Sequence, residues 1–240
     1  NTAFNNKNKF KYTISIKEIA KIIILIFKSF FFFKKNLDIK KENIDYLIVD
    51  HIDQKNFNIE DSTIYGDLFN NLEQSKIKYK RIIINHNKRI IRTKYNNNIY
   101  ILNIISSFVV QVKFIKDLLK EFFIFKKKYI RENNQFKKNL LGLLSRNIIS
   151  IENLNNGLIA NEIYQFVNKF NSSNLIITFE GYAWERILIN LIKKNLKNKT
   201  TIIAYNHSGL FKFHNSIKKK FTKEFSPDKI YCINSFFADN

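Results

Sequence analysis

The run Leu175-Ile-Ile-Thr-Phe-Glu180-Gly-Tyr-Ala-Trp-Glu185-Arg186 decides the fold, together with Thr201-Ile-Ile-Ala-Tyr-Asn-His207-Ser-Gly209 and Pro227-Asp-Lys-Ile-Tyr-Cys-Ile-Asn234. Each block is a short β-branched stretch that stops at polar residues, and one amphipathic helical pattern joins the first two. That is the sequence signature of parallel strands alternating with helices. Ligands of such sheets bind at the carboxyl ends of the strands. Glu180, Glu185, Asn206, His207 and Ser208 all fall at or just beyond such ends, where an α/β enzyme places its cleft.

Working back along the chain, the same grammar recurs. Asp45-Tyr-Leu-Ile-Val-Asp50-His51, Lys80-Arg-Ile-Ile-Ile-Asn85-His86 and Ile99-Tyr-Ile-Leu-Asn-Ile-Ile105 read as three more strands by their β-branched content. Gly66 to Leu72 opens a helix. Between Ser106 and Ile149 the period changes to helical, with Phe108, Val112, Ile115, Leu118, Leu119, Phe122 and Phe123 stepping by three and four, and Gly157 to Phe170 continues as a helix. The loop Asn171-Ser-Ser-Asn174 launches the terminal strand, helix, strand unit. The expected fold is a mainly parallel Rossmann-like sheet flanked by helices, over residues 44–240.

Residues 1–43 read as a separate basic, amphipathic lead. Its apolar run, Ile19 to Phe33, is interrupted by Lys28, falls short of the ~20 residues needed to span a bilayer, and is followed by no small-residue cleavage site. Two readings stay open: a packing helix, or an interfacial helix held on an anionic cytoplasmic leaflet by Lys17, Lys21, Lys28, Lys34 and Lys35.

The 240 residues are 45% hydrophobic and 25% charged, enough to bury a core and too apolar for a disordered chain. A net charge of +21 suits phosphate-bearing or anionic partners, but the lysines are scattered through every segment and no nucleic-acid motif accompanies them. Nucleic acid is therefore disfavoured. Cys232 stands alone in an apolar run, which excludes a disulfide framework and a thiolate metal site and points to a reducing compartment. There is no methionine, even at position 1, so the chain is expected to be a piece of a longer protein.

Glu180 precedes Gly181, the residue type that permits a tight turn. The helix after it carries Trp184, Leu188 and Leu191 on one stripe, with Glu185 in its first turn, either as a site residue or as a partner of the helix dipole. Its amino-terminal amides form a natural anion site. His207 emerges at the rim of the sheet as an acid, base or phosphate contact, or as a ring that merely bonds its loop. His51 and His86 also follow strands, and the Asn-His-Ser-Gly setting favours His207. No Gly-rich phosphate loop, serine elbow or His-Glu-x-x-His motif is present, which disfavours dehydrogenase, simple NTPase, α/β-hydrolase and zinc protease.

On Phe179-Glu-Gly-Tyr-Ala-Trp-Glu185, Ile203-Ala-Tyr-Asn-His-Ser208 and Pro227-Asp-Lys-Ile-Tyr-Cys-Ile-Asn234, the chain resembles the surface carbohydrate biosynthesis proteins of the O-antigen and capsule type, which look like two-Rossmann-domain (GT-B) glycosyltransferases. The Glu-x-x-x-Trp pattern is also similar to the acidic and Trp motif of Kdo transferases. The resemblance covers about the last 65 residues; Asn206 stands where that family more often shows Gln. It implies transfer of a sugar from a nucleotide-sugar donor to a glycan or lipid-linked acceptor, with no resident cofactor or metal. It further implies Glu180 and His207 as catalytic residues, and Gly181, Trp184, Glu185, Asn206 and Ser208 as substrate contacts. A cytoplasmic protein, peripheral at the inner face of the membrane, and a second Rossmann-like domain beyond Asn240 carrying most of the donor contacts are also implied. Two alternatives remain. One is a sugar-nucleotide 2-epimerase, although His207-Ser-Gly-Leu210 is one residue short of its spacing; the other is a non-catalytic basic adaptor for membrane or nucleic acid.

Overall fold

β-branched runs pair most favourably when both faces are covered, and this chain places six of them side by side. In the computed structural model, which describes residues 15–31, 40–52, 62, 64–86, 96–102, 108–196, 199–207 and 222–232, the strands are β1 (Tyr46–Ile52), β2 (Tyr79–Asn85), β3 (Ile99–Leu102), β4 (Asn174–Thr178), β5 (Thr201–Asn206) and β6 (Lys229–Cys232). All pairings are parallel, in the order β3-β2-β1-β4-β5-β6. All six strands read from the sequence are present. The tail of the expected third strand, 103–105, lies outside the described residues.

The helices are α1 (Ile16–Phe31), α2 (Leu68–Gln74), α3 (Phe108–Arg131), α4 (Gln135–Ile148), α5 (Ile151–Phe170) and α6 (Ala183–Leu196), with a short 3-10 turn at Lys223–Phe225. Gly66, at φ +50°, belongs to the turn before α2, a conformation that suits glycine. Among the described residues no helix is long and apolar enough to cross a membrane.

The chain forms two compact units, residues 1–34 with 105–155 and residues 35–104 with 156–240. The boundary expected at residue 44 is thus not where the contacts divide: α1 packs with α3, and α3 with α4. Glu18 of α1 accepts a hydrogen bond from the Ile151 amide at the start of α5, satisfying one of the donors that a helix start leaves unpaired.

In the second unit, strand alternation sorts the core into two layers. Leu47, Val49, Ile82, Ile84, Leu175, Ile177, Ile202 and Ala204 face α5 and α6 and pack with Ile163, Val167, Phe170, Trp184, Leu188 and Ile192. Ile48 and Tyr79 face α2 and meet Phe69 and Leu72. The edge strand β6 is mostly exposed. It is held by Asp228, whose carboxylate accepts from the Ile202 amide and pairs with Lys193 at 2.8 Å.

One ion pair lies inside the α2 layer. Arg81 is 1% exposed and Asp50 fully buried; Nε and Nη2 of Arg81 reach the same Asp50 oxygen at 3.0 and 2.6 Å, and the guanidinium lies 4.5 Å from the Phe69 ring centroid. Removing one member of such a pair strands a buried charge, whereas replacing both with apolar groups removes the desolvation cost as well. Asp50→Asn should therefore destabilise the fold by roughly 3–5 kcal/mol, read as a lower urea midpoint, and Asp50→Leu with Arg81→Met should recover most of that loss. Equal losses in single and double variants would show that the pair is not coupled.

Candidate active site

With β1 and β4 adjacent, the chain runs from β1 outward through β2 and β3 on one side and from β4 outward through β5 and β6 on the other. The carboxyl ends of β1 and β4 part at this switch point, which is where sheets of this order leave a crevice. A cleft of about 390 Å³ opens there. Its wall includes Glu180, Trp184 and His207, the residues expected to share a site, and also His51, His86 and Thr178.

The turn from β4 into α6 aims Glu180. Gly181 takes φ +86°, a conformation costly for a residue with a Cβ. The Glu185 carboxylate then folds back from the first turn of α6 and accepts three backbone hydrogen bonds, from Glu180 at 3.0 Å, Gly181 at 2.8 Å and Tyr182 at 2.9 Å. This extends the reach-back half of a capping box to three amides. The amides leading into α6, read from the sequence as an anion site, are thus held by the protein's own carboxylate. Two forces act on that group. Burial favours the acid, the three amides favour the carboxylate, and burial wins, pushing Glu185 up from 4.5 to about 8.

Glu180 meets His207 across the ends of β4 and β5, with Oε1 3.2 Å from Nε2, and both side chains are partly exposed. A carboxylate only accepts, so a neutral His207 carries its proton on Nε2 and donates to Glu180. Nδ1 is enclosed and has no hydrogen-bond partner among the described residues. The His207 ring stacks at 6.4 Å on Tyr205, which in turn lies 5.5 Å from Tyr65. Tyr65 donates to the Val49 carbonyl, and burial raises its hydroxyl well above the usual tyrosine value.

Gly181, Glu185 and Asn206 are not among the described residues lining the cleft. Asn206 is buried at the end of β5, where its Nδ2 donates to the Phe179 carbonyl at 2.9 Å and ties β5 to β4. Gly181 and Glu185 shape the turn. Ser208 lies outside the described residues. Asp50, in β1, is buried in its pair with Arg81.

A second constellation occupies the β1 and β2 side of the cleft. His51 Nδ1 and His86 Nε2 are 2.9 Å apart, their rings are stacked at 5.2 Å with 14° between planes, and His51 Nε2 lies 2.9 Å from Thr178 Oγ1. Trp184 flanks His51 at 5.8 Å. The sequence signal was the same one that marked His207, a histidine just past a strand. Only the strand order reveals that the three histidines line one cleft. Among the described residues no group of three His, Cys, Asp or Glu is arranged to hold a metal ion.

The raised Glu185 carboxyl has a definite sign in stability. Between pH 4.5 and 8 the folded chain holds a proton that the unfolded chain releases, so stability declines as pH rises through that window. In Glu185→Gln this component is absent. Urea midpoints measured across the window should fall more steeply for the parent chain than for the variant; parallel slopes would show that Glu185 does not take up the proton.

No protein-family model matches this chain, and neither a curated protein nor a solved structure matches it significantly.

Proposed function

We propose that this chain is a glycosyltransferase that uses a nucleotide-sugar donor and a glycan or lipid-linked acceptor in building bacterial surface polysaccharide, with Glu180 and His207 as its acid–base pair. The observation that carries this reading is the Glu180–His207 contact at 3.2 Å in a cleft beside the switch point of a parallel sheet. Attack by an acceptor hydroxyl needs a base positioned at the cleft wall. The Glu180 carboxylate takes the hydroxyl proton as the new bond to the anomeric carbon forms; the old carbon–oxygen bond breaks and its electron pair leaves on the donor phosphate. His207, bonded to Glu180 through Nε2, orients the carboxylate and stabilises its charge before the proton arrives. Support for sugar chemistry in particular comes from the resemblance on Phe179–Glu185 and Ile203–Ser208.

The test is release of nucleoside diphosphate from a panel of nucleotide sugars offered with glycan acceptors. Glu180→Gln and His207→Ala should each lower turnover by about a hundredfold or more while the melting temperature is kept. A lowered melting temperature with full activity in the remaining folded protein would make both residues structural, and no consumption of any nucleotide sugar by the full-length protein would end the transferase reading.

A second reading concerns location and rests on the unit formed by α1, α3 and α4. Its surface exposes Ile16, Ile24 and Phe27 of α1, Val109, Phe123 and Ile130 of α3, and Phe136 of α4, on helices that also carry Lys17, Lys21, Lys126, Lys127 and Lys137. Apolar area interleaved with lysines suits an anionic lipid surface, at about 1 kcal/mol per basic residue near it. Vesicle sedimentation should increase with anionic lipid and decrease with salt; equal binding to neutral vesicles, or none to either, would remove the membrane role.

A further inference from the structure

Tyr182 stands two residues beyond Glu180 and lines the same cleft. It is 55% exposed, whereas Trp184, also in the wall, is 4% exposed and committed to the α6 core layer. Among the described residues lining the cleft, Tyr182 is therefore the phenol or indole side chain with area to offer a ligand. Its backbone is fixed. The Tyr182 amide donates to Glu185 Oε2 at 2.9 Å, and Gly181 before it holds the turn at φ +86°. One carboxylate thus anchors the backbones of both Glu180 and Tyr182. A side chain presented from a pinned turn leaves less freedom to be lost when a ligand packs on it.

The neighbouring wall sets the chemistry of what can lie there. Ile64 and Ile159 add apolar area, the Asn156 amide both donates and accepts, and the Glu180 carboxylate accepts. Such a mixture suits a ligand with an apolar face and a polar rim. A pyranose ring has both: its C–H groups, slightly positive, meet the negative face of an aromatic ring, while its hydroxyls point outward to donors and acceptors. The cleft volume of about 390 Å³ is of the size that takes small molecules. Two residues of chain span at most about 7 Å, so a sugar whose hydroxyl meets the Glu180 carboxylate lies beside Tyr182. The nucleobase of a donor, separated from the reacting carbon by a ribose and two phosphates, lies farther away.

We propose that Tyr182 is the stacking platform for the acceptor's terminal pyranose ring, the ring whose hydroxyl Glu180 deprotonates. The assignment of that ring to the acceptor rests on the transferase reading; the sugar subsite itself does not. Stacking fixes the plane of the ring, and the Glu180 carboxylate then selects the hydroxyl that lies within hydrogen-bond reach. Because the turn holds both residues, the platform and the base keep one spacing, and a ring with its hydroxyl on the other face is presented away from Glu180. Tyr182 is in this way a specificity-determining residue.

Trp184 is the one tryptophan of the chain and lines the cleft, so its fluorescence reports occupancy. The full chain is titrated with a panel of methyl hexopyranosides and, separately, with nucleosides. At least one hexopyranoside should change the emission saturably. Tyr182→Ala, which keeps the backbone amide, should weaken that binding by roughly tenfold at an unchanged melting temperature, and Tyr182→Phe should restore it, since the ring face and not the hydroxyl makes the contact. No saturable response to any hexopyranoside, parent affinity in Tyr182→Ala, loss in Tyr182→Phe equal to that in Tyr182→Ala, or a response to nucleosides alone would each overturn the proposal. In turnover by the full-length protein, Tyr182→Ala should raise the acceptor KM by a similar factor while kcat and the donor KM change little. The two readings fail separately. Hexopyranoside binding that depends on Tyr182, without consumption of any nucleotide sugar, would leave the sugar subsite and remove the transferase; turnover with an unaltered acceptor KM in Tyr182→Ala would do the reverse.

Discussion

The Glu185 carboxylate is the constraint on which the cleft depends. Its three backbone hydrogen bonds close the turn between β4 and α6, and that closure sends Glu180 toward His207 instead of along the helix. The cost is burial of an acidic group, visible as its upward shift to about 8. Without it the Glu180 backbone would have only the β4 strand to position it. Trp184, one residue earlier, adds to the same anchoring. It packs into the α6 core layer on one side and flanks His51 on the other, so the helix that carries Glu185 also braces the histidine pair.

Ion pairs in this unit join neighbouring elements. Arg81 and Asp50 neutralise one another beneath α2 and Lys193 and Asp228 do so at the β6 edge, while His207 hydrogen-bonds Glu180 in the cleft. Each pair joins neighbouring elements, β1 to β2, α6 to β6 and β4 to β5, so the ionic contacts repeat the order of the sheet. A buried pair such as Arg81–Asp50 adds little net stability but strongly penalises the loss of one partner. Among the described residues lining the cleft there is no lysine or arginine.

The strands were legible in the sequence because each one announces itself locally. β-branched content over four to seven residues, ended by polar residues, needs no distant partner to be recognised, and the terminal unit with Glu180, Trp184 and His207 was readable for the same reason. The unit boundary was not. Whether α1 belongs with the sheet or with α3 and α4 depends on which apolar faces meet, and every one of those helices shows a similar amphipathic pattern.

Local pattern also set the candidates for the site, a carboxylate and histidines placed just past strand ends. Their roles were decided by tertiary structure. Strand order brought His51 beside His86 and Thr178, residues up to 127 positions apart, while turning Asn206 inward to the Phe179 carbonyl and Glu185 back onto three amides. Sequence determines which residues reach the rim, because side chains alternate with a period of two along any strand. Which rim residues face one another follows from the crossover between β3 and β4, a long-range packing choice that no window of sequence contains.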